Sequence, residues 1–147
     1  MAFEKKFGSA NHQDILDLQQ KYSVELPKDY INFLVKYNGG IIEKNDRNKV
    51  FIEDLSTFIN IDVLFGLNTG SSTSDIRTWM TKFQDDLFDQ SIIIGDDLMH
   101  GFIVMICKGE YSGIYYWDDS YQFDESTDEE NTYWIAENFS NFFEQLL

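Results

Sequence analysis

The amino-acid sequence predicts an α+β fold, a sheet with helices packed against it, in one domain. Three observations lead there. Two segments near the N-terminus, Asn11–Tyr22 and Pro27–Asn38, carry apolar residues at helical spacing. Three short apolar runs, Ser91–Ile94, Gly101–Cys107 and Gly113–Trp117, follow one another across polar turns, as in an antiparallel meander. The C-terminal stretch Thr132–Leu147 returns to helical spacing. Helices, then strands, then a helix is an α+β order. At 147 residues, with 43% hydrophobic and 16% aromatic residues, the chain can bury one sizeable core.

In the first helix Asn11 can cap the N-terminus and Asp14 sits in the first turn, where the helix dipole favours negative charge. Ile15, Leu18 and Tyr22 share a face. The second helix opens at Pro27, whose missing N–H would be unpaired there anyway. Tyr30, Phe33, Leu34 and Tyr37 follow the i, i+3, i+4, i+7 pattern, and Asn38-Gly39-Gly40 stops the helix, because Asn and Gly tolerate the left-handed conformation. The stretch Ile41–Ile61 reads as a hairpin or as a loop feeding a strand near Val50–Ile52, with a second weak strand at Phe58–Ile61. Ser71–Ser74 reads as a loop leading to a third helix with Ile76, Trp79, Met80 and Phe83 on its apolar face. Gly95-Asp96-Asp97 and Lys108-Gly109-Glu110 read as turns. Gly101–Cys107 is apolar nearly throughout, which suits a strand covered on both faces. Tyr121–Asn131 is an acidic, exposed connection, and residues 1–11 read as a segment that can be flexible. In the last helix Ile135, Phe139, Phe142, Phe143 and Leu146 would line one face.

The charge is unevenly placed. Residues 1–50 carry a net +1, residues 51–147 a net −16, and no basic residue follows Lys108. Such a field repels nucleic acid and anionic lipid and attracts basic partners. It also serves solubility alone. With the single Cys107 no intramolecular disulfide can form, which points to a reducing, cytoplasmic setting. The N-terminus lacks the apolar segment of a signal peptide, and no apolar run approaches membrane-spanning length.

Catalytic and metal chemistry find little support. Asp96 and Asp97 with His100 could hold a divalent ion, but a turn whose Asp side chains bond nearby N–H groups explains them more simply. Asp118–Glu130 fails the calcium-loop pattern, since Phe123 stands at the sixth position, where glycine is needed. Glycine-rich phosphate loops and a G-x-S-x-G elbow are absent from the sequence, and Cys107 reads as a small buried hydrophobe. No catalytic residue, metal ligand or cofactor is expected. Trp117-Asp118-Asp119 places aromatics beside carboxylates, a combination that suits a protein interface and equally suits a core edge with solvated acids.

Three stretches carry a resemblance. Leu26-Pro27-Lys28-Asp29-Tyr30-Ile31-Asn32-Phe33-Leu34, running on to Asn38-Gly39-Gly40, matches a pattern of L-P, Tyr three positions after Pro, F-L and N-G-G. Ile93-Ile94-Gly95-Asp96-Asp97 precedes the strand Phe102–Ile106, and Ile114-Tyr115-Tyr116-Trp117-Asp118 precedes Ile135-Ala136 and Phe139 to Phe143. In this order they resemble the SUKH superfamily of bacterial Smi/Knr-type immunity proteins and fungal cell-wall regulators. The resemblance spans Ile15–Leu147, with Ile41–Leu87 matching little. It implies a mostly antiparallel sheet packed by N- and C-terminal helices, and a non-enzymatic function in binding. The expected partner is a basic toxin domain, such as a nuclease or deaminase, which the chain would neutralise. The alternatives are a regulatory adaptor of the cell-wall-signalling type and, from another class, a small metal-dependent hydrolase. The partner-binding candidates are Asp96, Asp97, Trp117, Asp118, Asp119, Asp124 and Glu125.

Overall fold

The computed structural model describes residues 3–45 and 48–146. Eight strands form an antiparallel sheet: β1 (Phe3–Lys6), β2 (Gly40–Ile42), β3 (Lys49–Ile52), β4 (Thr57–Leu64), β5 (Ser91–Asp97), β6 (Phe102–Ile106), β7 (Gly113–Trp117) and β8 (Thr132–Ala136). Their order is β1-β2-β4-β5-β6-β7-β8, and β3 pairs with the first half of the long β4. Four helices accompany it: α1 (His12–Tyr22), α2 (Lys28–Lys36), α3 (Ile76–Phe83) and α4 (Phe139–Glu144). The expected α+β class and the meander β5-β6-β7 are present, and the meander continues into β8.

Asn11 caps α1 by accepting from the Gln13 N–H at 2.7 Å, and Ile15 and Leu18 are buried. Pro27 stands one position outside α2, as its N-cap, with extended backbone. Tyr30, Phe33 and Leu34 are buried as their spacing required. The Asn-Gly-Gly stop fastens the helix to the sheet. Asn38 adopts φ +53° and is 2% exposed. Its side chain donates to the Leu67 carbonyl at 2.7 Å and accepts from the Leu67 N–H at 2.8 Å. Gly39 has φ +78°, and a Cβ there would collide with the Leu64 and Phe65 carbonyls. Glycine is required by both conditions.

Two sequence readings need correction. Gly95-Asp96-Asp97 is not a turn but the end of β5, where Asp96 and Asp97 pair with β4. Thr132–Leu147 is not one helix. Thr132–Ala136 is a strand paired with β7, Asn138 caps the next turn by accepting from the Asn141 N–H at 2.8 Å, and only Phe139–Glu144 is helical. Within residues 1–11, Phe3–Lys6 is an edge strand paired with β2. Between residues 41 and 61, a three-residue β2 precedes the β3–β4 hairpin.

Strand register decides what the sheet presents. Phe102 faces Trp117 and Val104 faces Tyr115 across β6 and β7. Alternation therefore puts Phe102, Val104, Ile106, Tyr115 and Trp117 on one face. Ile103, Met105, Ile114 and Tyr116 lie on the other face, all 2% exposed or less. A ring cluster from the N- and C-terminal helices completes the core. Phe33 lies 4.8 Å from Phe139 and 5.0 Å from Phe143, and Tyr30 meets Phe139 edge-on at 5.0 Å. Asp29 of α2 accepts from both the N–H and the hydroxyl of Ser140, which ties the two helices together. On the first face α3 covers only one end. Trp79 and Phe83 stand 5.2 and 5.4 Å from Phe102, and Phe83 meets Trp117 edge-on at 5.3 Å.

Candidate functional site

The uncovered part of that face is a groove of about 1110 Å³. Its floor is apolar: half-exposed Tyr115 and Trp117 of β7, with Val104 and Ile106 of β6 buried beside them. Between β6 and β7 the chain runs along the groove's edge, where Lys108, Gly109 at φ +98°, Glu110 and Tyr111 line it. The helix that could have covered the floor, α3, ends at Phe83.

The rim carries charge of one sign. Asp54, Asp86, Asp89, Glu110, Asp119, Asp128, Glu129 and Glu130 line the groove against a single base, Lys108. Lys108 is already engaged, donating to Glu25 at 2.6 Å, a contact that holds its ammonium pKa above the usual value and the Glu25 carboxyl below. Three aromatics stand out among the lining residues, with Phe88 at 71%, Tyr111 at 69% and Tyr121 at 48% exposure. Tyr115 is oriented by its hydroxyl, which donates to the Tyr111 carbonyl at 2.7 Å. Exposed aromatics around an apolar floor, with acids at the rim, have the composition of a protein interface.

One buried acid builds the far wall. Asp118 is fully buried, and its carboxylate accepts from the Gln122 N–H at 2.8 Å, the Phe123 N–H at 2.9 Å and the Ser126 hydroxyl at 2.6 Å. Ser126 also shares a hydrogen bond with the Tyr133 hydroxyl at 2.8 Å, and Tyr121 donates to Asp128. The loop 118–131 is thus folded around a single carboxylate. It presents Asp119, Tyr121 and Asp128–Asn131 to the groove.

The sequence-predicted residues therefore divide. Trp117 and Asp119 line the groove. Asp97 and Asp118 are withdrawn from the surface, at 1% and 0% exposure, and spend their carboxylates inside the protein. Asp97 accepts from the Gly101 N–H at 2.8 Å and the Tyr116 hydroxyl at 3.1 Å. Burial pushes its carboxyl up to about 6 against these bonds. Asp96 is half-buried and accepts from the Val63 N–H at 3.1 Å, and burial with nearby Asp62 raises it to about 7. Asp124 and Glu125 are exposed but outside the groove lining. Asp119 has one carboxylate oxygen buried without a hydrogen-bond partner, and that burial, then Asp118 beside it, raises its pKa. Sequence reasoning missed Phe88, Tyr111 and the wall Asp128–Glu130, which come from three separate connections.

Among the described residues no group of three His, Cys, Asp or Glu side chains is placed to hold a metal ion. No described helix is long and apolar enough to cross a membrane. Cys107 is half-buried, and burial pushes its thiol up to about 12, away from the thiolate that nucleophilic chemistry needs.

An antiparallel sheet, an aromatic helix layer and a groove with an acidic rim define a small α+β domain. The chain matches the SMI1 / KNR4 family (SUKH-1) over residues 9–145 and belongs to that family. A search of curated proteins returned no match.

Proposed function

We propose that this chain is a non-enzymatic immunity-type protein of the cytoplasm that neutralises a toxin by binding a basic surface of it. Family membership supports an immunity or regulatory role. The observation that carries the finer reading is the groove, with eight carboxylates, one base already paired, and an apolar floor between them. Eight like charges at one rim repel one another, so a partner that neutralises them gains on association and is steered to the site. The field is wrong in sign for nucleic acid and for anionic lipid. A toxin that acts on nucleic acid must itself present a basic surface to hold phosphates, and covering that surface stops it without any chemistry.

The test is genetic. Cells deleted for this chain, with any toxin reading frame beside it left intact, should arrest, and the wild-type chain should restore growth. A variant with Asp89→Lys, Glu110→Lys and Glu130→Lys, all at exposed positions, should fold normally and fail to restore it. Equal rescue by both proteins would refute the assignment to this groove. Unimpaired growth of the deleted strain would refute the immunity reading.

A further inference from the structure

The shape of the groove says more about the partner than its charge does. Four strands, β5–β8, spaced about 4.8 Å apart, span roughly 14 Å, and five residues of β6 or β7 run about 16 Å along the strands. An α-helix is about 10–12 Å across and rises about 1.5 Å per residue, so two to three turns match the width and length of this stretch of sheet. An extended segment of the same length would be only about five residues and would leave most of the width empty.

Strand addition is disfavoured at both ends of the sheet. The outer side of β8 is approached by β3 and the 3₁₀ turn Glu53–Leu55. The Phe51 N–H of β3 is already given to Gln145 at 3.3 Å. The outer edge strand β1 carries exposed Glu4, Lys5 and Lys6, a net positive edge of the wrong sign for a basic partner. A basic partner must therefore use the side-chain face of the sheet. There the apolar floor runs between acidic walls: Asp86 and Asp89 from the α3–β5 connection, and Asp119, Asp128, Glu129 and Glu130 from the loop before β8. The complement is a helix with one apolar stripe flanked on both sides by Arg or Lys.

We infer that the groove receives two to three turns of a basic amphipathic helix protruding from the partner, its apolar stripe on Tyr115 and Trp117, and its cations at the rim. This rests on the reading under Proposed function and specifies the partner's binding element. Exposed Phe88 would fold over one side of such a helix, as aromatic anchors do at interface centres.

The probe is a synthetic 14-residue helix with leucines at i, i+3, i+4 and i+7 and arginines on both flanks, titrated into the full chain labelled with nitrogen-15. Two control peptides accompany it, one with the same composition in permuted order and one with glutamine for every arginine. The expected result is a saturable shift of the Trp117 indole N–H and the Tyr115 amide. The permuted peptide should bind about tenfold more weakly, and Phe88→Ala, an exposed position that cannot disturb folding, should weaken the helix about fivefold. Equal binding of the permuted peptide would overturn the helix and leave the basic-partner reading standing. Equal binding of the glutamine peptide would overturn the charge argument and that reading with it. Shifts confined to α1, α2 or α4 would overturn the groove as the site.

Discussion

Replacing Asp118 with alanine removes the one carboxylate around which the groove's acidic wall is folded. Three donors lose their acceptor: the N–H groups of Gln122 and Phe123 and the hydroxyl of Ser126. Hydrogen bonds to a charged acceptor contribute about 1.5–3 kcal/mol each. Three at full strength would exceed 4.5 kcal/mol, but water reaches the donors once the loop opens, and Ser126 keeps Tyr133 as a partner. The expected loss of unfolding free energy is therefore about 3 kcal/mol. Asp118→Asn should lie between wild type and alanine, since one of its two side-chain atoms donates and cannot replace the lost acceptor. Urea unfolding gives the stability, and amide exchange at Gln122 and Phe123 gives the local effect. Both amides should lose protection, while Ile103 and Met105 at the centre of the sheet change only as far as global stability falls. An Asp118→Ala protein within about 0.5 kcal/mol of wild type, with both amides still protected, would show that the loop is held by something else.

Further expectations follow from burial and titration. Asp97 titrates near 6 in the folded protein against 3.8 for an unperturbed carboxyl, so the folded state holds the extra proton between those values. Its contribution thus favours the fold at low pH and is lost as pH rises from about 4 to about 6, worth about 2–3 kcal/mol. Asp97→Asn should flatten that part of the stability–pH curve relative to wild type in urea titrations, and an unchanged slope would contradict the assignment. Leu34→Ala, at a position with no exposure, should cost about 2–5 kcal/mol in the same assay. The Cys107 thiol should resist a disulfide reagent in the folded protein at pH 8 and react fully in denaturant, and rapid native labelling would contradict its burial.

Much of the fold was legible because its signals are local. Asn11 and the Pro27 to Gly40 stretch show their helix boundaries in single residues, and β6 and β7 show theirs in short apolar runs between turn residues. The misreadings share one cause, a tertiary contact overriding a local signal. Asp disfavours strands, yet β5 continues through Asp96 and Asp97 because β4 pairs with them and a buried carboxylate anchors to Val63 or to Gly101. At the C-terminus, Ile135, Phe139, Phe142 and Leu146 are all buried, as a helical spacing demanded. Ile135 reaches the core from a strand instead. The signals for that were Thr132, Tyr133 and Trp134, which favour sheets, and the helix-capping Asn138. At the site, Trp117 and Asp119 were visible as aromatic beside acid. Nothing local separates Asp119 from Asp118, which turns inward to organise its own loop. Phe88, Tyr111 and Asp128–Glu130 are brought together only by the order of the strands.

The central claim is that an acidic, apolar-floored groove captures a basic protein. The most direct measurement is the affinity of the purified partner toxin for three forms of this chain, at low and high salt. The forms are wild type, the Asp89→Lys, Glu110→Lys, Glu130→Lys variant, and a variant of like charge change placed elsewhere, Glu4→Lys with Asp17→Lys and Glu43→Lys, all exposed and outside the groove. Groove reversal should weaken binding by tenfold or more and reduce its salt dependence, and the distant reversal should leave affinity within about threefold of wild type. Equal loss from both variants would mean that only net charge matters, and no loss from groove reversal would mean that the partner binds elsewhere.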